Sequence, residues 1–384
     1  MKLSSALVGA ACTIAVATFA FAESPTPARL EAPLLAETVA AIDKAVATDL
    51  KEYGGNTPVP GAVIGIWDPK LGTLQKTYGL GSLSPREPMA LTDKFRIGSN
   101  TKTFVVTVLL QLADEGKLKL SDTLDKFAIP VKVPNAAHIT LAQLCEMRSG
   151  LLNLYALPEF QNDQFASPNF DVVKLTQAAV DKPALFPPGT KYDYSNTNYI
   201  LLGLVIEAVT HDTTAHQIET RLIAPLHLSA TTYPTTDRAM PSPYAHGYML
   251  NDTKGWDDTS AELPPSATGA AGVMVSDMTD MKIWVKAYVT GSVNSKASQA
   301  ARLNCLPTPK PKASFGLGIG CSAGWYGYTG GIPGYNTSAY YLPVADTVIV
   351  VLVNSQRELE GKPDVATAIW RDIARILHPE HAPL

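Results

Sequence analysis

Residues 95–116 read FRIGSNTKTFVVTVLLQLADEG, and the rest of the chain takes its meaning from this stretch. Ser99 follows the flexible Gly98 and stands where a helix N-cap belongs. After one polar turn, Phe104, Val105, Val106, Val108, Leu109, Leu110 and Leu112 cover nearly the whole helical circumference. A helix that is apolar all round is a buried one. Asp114 and Glu115 return to water, and Gly116 is a stop residue.

Ser99 and Lys102 stand three apart, which puts both side chains on one helix face. A serine hydroxyl attacks poorly until something takes its proton. A lysine amine can take it once burial lowers its pKa. The helix N-terminus adds unpaired N–H groups and the positive end of the dipole, which suit a developing oxyanion. S-x-x-K is only two fixed letters, so this stretch alone also reads as a capping serine beside a surface lysine.

The chain has 384 residues and a formal net charge of −4, without the basic surplus of a nucleic-acid binder. Residues 1–22 read as a secretory signal peptide. Lys2 opens it, an apolar run follows, and Ala20-Phe21-Ala22 marks the cleavage site. Residues 23–32 read as a Pro-rich linker, and no later apolar run is long enough to span a bilayer. The expected location is secreted or periplasmic. Of the three cysteines left, Cys305 and Cys321 are expected to pair, with Cys145 a buried thiol. No ligand spacing indicates a metal.

Outward from the central stretch, residues 33–53 read as an amphipathic helix and Gly61–Trp67 and Thr73–Gly79 as strands. Residues 117–265 are mostly helical, with 234–268 read as loop. Residues 270–275 read as a strand and Asp277–Val289 as a helix. The tail is rich in short turn-bounded β runs, closed by a helix at Ala366–Leu377. Both chain ends are expected to share one antiparallel sheet, formed by residues 33–116 and 266–384, with 117–265 a mostly helical inserted domain.

Two further stretches complete a pattern. Pro188–Thr210 (PGTKYDYSNTNYILLGLVIEAVT) holds Tyr194-Ser195-Asn196 ahead of an apolar helix, and Trp325–Tyr335 (WYGYTGGIPGY) is a strand running into a glycine-rich turn. Together with RSGL at 148–151 and GAAGVMVS at 269–276, they resemble the serine β-lactamase and penicillin-binding D,D-carboxypeptidase superfamily, on its class C side. That family carries S-x-x-K, Y-x-N and a Lys/His-Thr-Gly strand in this order, and the resemblance covers about residues 33–377. It implies an α+β, β-lactamase/transpeptidase-like fold: a five-stranded antiparallel sheet flanked by helices, with a mostly α insertion.

The resemblance also implies site roles. Ser99 would be the acylated nucleophile, Lys102 its proton partner and Tyr194 the general base. Asn196 would donate to substrate. Tyr328, Thr329 and Gly330 would line the acyl pocket, and the N–H groups of Gly331 and Ser99 would form the oxyanion hole. Tyr328 departs from the pattern, since the family strand begins there with Lys or His. A tyrosine carries no positive charge, so carboxylate recognition is expected to weaken unless Arg148, Arg238 or Arg302 supplies a cation. The implied function is an exported serine hydrolase, D,D-carboxypeptidase-like or an amidase, acting on a small molecule or short peptide without cofactor or metal. Ester hydrolysis and β-lactam hydrolysis are the alternatives. A non-catalytic binding protein on this scaffold would have lost Ser, Lys or Tyr, and all three are present.

Overall fold

The β1–β2 hairpin, Gly61–Asp68 and Gly72–Leu83, turns at Asp68, whose carboxylate accepts from the N–H groups of Lys70 and Leu71. The computed structural model describes residues 32–163, 170–251 and 255–383. The expected leader, and all but the last residue of the expected linker, lie outside them.

Helix α1 (Ala36–Gly54) precedes the hairpin, and the short strand β3 (Arg86–Pro88) follows it. Strand β4 (Phe95–Arg96) leads to helix α2 (Thr101–Asp114). Helices α3 (Leu141–Cys145), α4 (Pro158–Asp163), α5 (Val172–Val180), α6 (Asn196–Thr210) and α7 (Thr214–Ile218) come next. A hairpin of β5 (Tyr248–Asn251) and β6 (Gly255–Asp258) precedes α8 (Pro265–Thr268) and β7 (Val275–Ser276). Helices α9 (Met278–Thr290) and α10 (Lys296–Arg302) lead to β8 (Leu306–Pro307), β9 (Ala313–Gly316) and β10 (Ile319–Ser322). The chain closes with β11 (Trp325–Ile332), β12 (Tyr335–Leu342), β13 (Thr347–Val353) and α11 (Val365–Leu377).

The main sheet runs β3-β2-β1-β13-β12-β11-β10-β9-β8 and is antiparallel throughout. Both chain ends meet where β1 pairs with β13, Gly65 opposite Val350. The sheet has nine strands, not five. The five long strands form its middle, and the extra four are short edge pieces. The run SFGLGIG folds on itself at Leu317-Gly318 into β9 and β10, which a single apolar run does not reveal.

Side chains alternate between two cores because strand residues point to opposite faces in turn. Val63, Val350 and Leu352 face the core shared with α2, while Ile64, Ile349 and Val351 face the core under α1 and α11. Helix α2 packs against α6, α7 and α10 and, through Phe104, against α9, which covers the sheet; being surrounded accounts for its apolar circumference. Trp284 of α9 stacks on Phe104 at 3.8 Å and donates to Thr103 Oγ1.

Three local expectations are corrected. Residues 270–275 are not a strand: Gly269–Ala271 form a 3₁₀ turn, and only Val275 joins β7. Their backbone groups serve other partners, the Ala271 carbonyl above all. The 234–268 stretch is not all loop, since it contains the β5–β6 hairpin. Ser99 is not an N-cap, because α2 starts at Thr101 and Gly98–Asn100 form a preceding 3₁₀ turn. The Cys305–Cys321 disulfide is present and Cys145 is a buried free thiol.

Candidate active site

The turn before α2 presses directly on β11. Gly98 adopts φ +49°, a left-handed conformation that favours glycine, and a Cβ there would come within 3.0 Å of the Gly331 nitrogen. Gly330 meets the same turn, where a Cβ would fall 2.1 Å from the Ile97 carbonyl oxygen. The glycines of the T-G-G strand therefore let two backbones touch, and that contact places Ser99 beside β11.

Strand register sets what β11 offers to Ser99. Ile332 and Tyr335 close a two-residue hairpin, so their backbone groups pair with each other. Alternation then turns the N–H groups of Thr329 and Gly331 the opposite way. Strand β10 covers only Trp325–Gly327 on that side, leaving the end of β11 as a free edge. The Gly331 N–H points out along that free edge, and Gly331 lines the same cavity as Ser99.

Ser99, Lys102 and Tyr194 converge. Ser99 Oγ is 2.8 Å from the Tyr194 hydroxyl and 2.9 Å from Lys102 Nζ. Lys102 is wholly buried, and its Nζ also donates to Asn196 Oδ1 at 2.8 Å and to the Ala271 carbonyl at 2.6 Å. Those last two partners only accept. A neutral amine can give its two protons to them and still turn its lone pair to Ser99. Burial favours that neutral form by pushing the Lys102 pKa well below its ordinary value. Three acceptors also fit an ammonium, so the site holds the amine in either state without rearrangement.

Burial likewise pushes the Tyr194 phenol up to about 12, partly offset by its hydrogen bond to Ser99 and by the nearby Tyr328 hydroxyl. Lys102 Nζ sits 5.1 Å from the Tyr194 ring centre and 5.4 Å from that of Tyr199. A protonated amine at that distance would stabilise a phenolate.

Asn196 lines the cavity and also holds the amine. Its Oδ1 is taken by Lys102, and its Nδ2 donates to Asn153 Oδ1 at 3.2 Å. It orients the amine first and leaves one amide hydrogen for a ligand. Asn153 and the Ala271 carbonyl are site groups that the sequence reading missed. Asn153 Oδ1 also accepts from the backbone of Asn196 and Tyr155. Its one sequence signal was its place just after RSGL. The carbonyl had none, because any residue supplies one.

A cavity of about 410 Å³ opens over Ser99, lined by Tyr194, Asn196, Tyr328, Thr329 and Gly331. Tyr155, Phe160, Met249, Leu263, Ile332 and Gln356 contribute to its walls, and among the described residues no charged side chain lines it. Gly330 underlies it, packed on Ile97. A neighbouring cavity of about 440 Å³ shares Tyr194, Tyr328 and Thr329 with the first. None of the three arginines considered from sequence lines the cavity over Ser99. Arg148 donates to the Pro307 carbonyl, Arg238 to that of Glu262, and Arg302 is buried against Tyr288 and Thr107.

The chain is similar to known proteins over most of its length. The Beta-lactamase family model matches residues 42–372. Protein flp of Staphylococcus aureus (strain N315) is 29% identical over 257 residues, covering 64% of this chain and 48% of that protein. The chain thus spans about half the length of that curated relative. The putative penicillin-binding protein PbpX of Bacillus subtilis (strain 168) is 26% identical over 262 residues, 68% of this chain and 62% of that protein. Among solved structures, a D-stereospecific amidohydrolase from Streptomyces sp. superposes with a TM-score of 0.73 at 28% identity, over 88% of this chain and 98% of that one. The D-amino acid amidase of Ochrobactrum anthropi SV3, complexed with D-phenylalanine, shares the fold with a TM-score of 0.76 at 21% identity, over 88% and 99%. With a family match running from α1 into α11 and a serine, a lysine and a tyrosine meeting over one cavity, the chain belongs to the Beta-lactamase family.

Proposed function

We propose that the protein is an exported amidase or peptidase that cleaves small, uncharged acyl amides through a covalent acyl-enzyme on Ser99. The observation that carries this reading is the uncharged lining of the cavity over Ser99. No cation lines that cavity to meet a substrate carboxylate, and burying an unpaired charge is costly. The structural likeness to the D-stereospecific amidohydrolase supports amides as the bond cleaved. The disulfide supports an oxidising compartment, in line with the leader read from sequence.

The chemistry balances within the chain's own groups. Ser99 Oγ attacks the carbonyl carbon, and its proton passes to the Lys102–Tyr194 pair. The carbonyl oxygen gains the negative charge and is held by the N–H groups of Ser99 and Gly331. The Tyr194 hydroxyl then protonates the leaving nitrogen as the C–N bond breaks. Water attacks the acyl-enzyme, gives its proton to the same pair, and Ser99 recovers a proton as the acid leaves.

Ester hydrolysis is the second reading. The same uncharged lining accepts an ester, and an alkoxide leaves with less proton help than an amine. Both readings meet in one panel: D-amino acid amides, nitrophenyl esters, a D-alanyl-D-alanine peptide and a penicillin, with Ser99→Ala as control. Amides are expected to turn over best. Faster cleavage of the peptide with a free carboxylate would overturn the proposal, and esters cleaved without amides would favour the second reading.

A further inference from the structure

Tyr328 holds the strand position at which the family resemblance calls for a cation. Its ring is wedged edge-on against Phe315 at 5.6 Å, and Phe315 meets Tyr192 at the same distance. Only 4% of the residue is exposed, and its hydroxyl oxygen is buried with no hydrogen-bond partner. That hydroxyl is not available to a substrate carboxylate. Tyr328 and Tyr194 instead line the same two cavities beside Ser99, and the Tyr328 hydroxyl favours the charged form of Tyr194.

We propose that Tyr328 is a positioning residue, whose buried hydroxyl is a donor that closes on the Tyr194 oxygen when that oxygen becomes negative. A buried O–H without a partner needs an explanation, because phenylalanine would fill the same space with no polar group to satisfy. In the resting state the Tyr194 hydroxyl is engaged with Ser99. Once Tyr194 has passed its proton to the neutral Lys102 amine, ahead of taking the one from Ser99, a donor beside its oxygen forms a charge-assisted bond, about twice as strong as a neutral one. An interaction stronger in the charged state than at rest speeds the chemical step and does not tighten substrate binding.

The titratable groups around Tyr194 are Lys102 on α2, Tyr155 ahead of α4, Tyr192 two residues before it, Tyr199 on α6 and Tyr328 on β11. Asp193, its immediate chain neighbour, adds a carboxylate that lines the neighbouring cavity. Lys102 stabilises the phenolate by charge and Tyr328 by hydrogen bonding, from opposite elements.

This inference rests on Ser99 being the nucleophile, and the test separates the two. A fluorophosphonate labels an activated serine whatever the natural substrate is. Its labelling rate is followed against pH in the parent protein, Tyr328→Phe and Tyr328→His, alongside kcat and KM on an amide. Tyr328→Phe is expected to label about tenfold more slowly at neutral pH, with its inflection about one unit higher and KM unchanged. Tyr328→His, which keeps a ring N–H donor, is expected to recover part of the rate. An unshifted inflection, or a raised KM at constant kcat, would overturn the role of Tyr328. A parent protein that takes no label would instead sink the nucleophile assignment.

Discussion

The Ala271 carbonyl accepts a 2.6 Å hydrogen bond from Lys102 Nζ, across 169 residues of chain. The peptide group after α8 thereby fixes the amine that faces Ser99. The irregular backbone of 269–272 has this as its purpose: a regular strand there would have spent the carbonyl on a neighbour.

Replacing Lys102 by Met is expected to cut acylation of Ser99 by about 10²–10⁴-fold, the usual contribution of a positioned proton acceptor. The Asn196 and Ala271 oxygens would lose their donor, at a cost of about 1–3 kcal/mol each if nothing replaces it. Labelling kinetics and denaturant unfolding read the two effects separately.

The lowered Lys102 pKa also fixes the sign of a pH effect. The unfolded chain protonates this lysine below its ordinary pKa, while the folded protein does so only at a lower pH. Between those two values the unfolded state binds more protons, so stability rises with pH through that window. The amine-dependent limb of activity is expected to rise with pH as well, with its inflection below that of a free lysine. Lys102→Met should flatten the stability slope there, and unfolding titrations at several pH values check it.

Gly330→Ala is expected to damage fold and site together. Its Cβ would lie 2.1 Å from the Ile97 oxygen, so β11 must move off the Ser99 turn. Overpacking of this kind costs about 1–3 kcal/mol. The displaced Gly331 N–H would weaken the oxyanion hole, so kcat should fall more than the stability change alone explains. Thermal melts beside single-turnover acylation would test this.

Asp49 is buried on α1, its Oδ2 has no partner, and burial with the nearby Asp372 and Glu52 carboxylates pushes its pKa up to about 7. A raised carboxyl pKa means the folded state holds the proton more tightly. Stability is therefore lost as pH rises from the ordinary carboxyl range through about 7. Asp49→Asn should raise the unfolding free energy at pH 8 by on the order of 1–2 kcal/mol, read by denaturant unfolding, and lose that advantage near pH 4.

Reduction of Cys305–Cys321 should destabilise the β8–β9–β10 edge. The bond closes a loop of 16 residues, for which the chain-entropy model gives about 3 kcal/mol. The Cys305→Ser, Cys321→Ser double variant is expected to be less stable by that amount in denaturant unfolding, and added reductant should affect only the parent.

The order of elements was readable because helix and strand patterns are local. The burial of α2 followed from its apolar circumference, the β1–β2 hairpin from the signal at Asp68, and the β11–β12–β13 meander from short runs between turns. The count of strands was not readable, since a two-residue piece such as β8 has no period of its own. For the same reason SFGLGIG, a hairpin, passed as one run.

Residue types and their spacing determined that Ser99, Lys102 and Tyr194 were the groups to examine. Folding alone settled that Asn196 spends its oxygen on Lys102, that an alanine carbonyl completes the amine's shell, and that the Tyr328 hydroxyl faces inward. A side chain's identity is written in one residue, whereas its partner and its exposure belong to the packing of segments far apart in the chain. Carbonyl acceptors and buried hydroxyls carry no letter of their own, so they become visible only once the backbone brings them within hydrogen-bond reach.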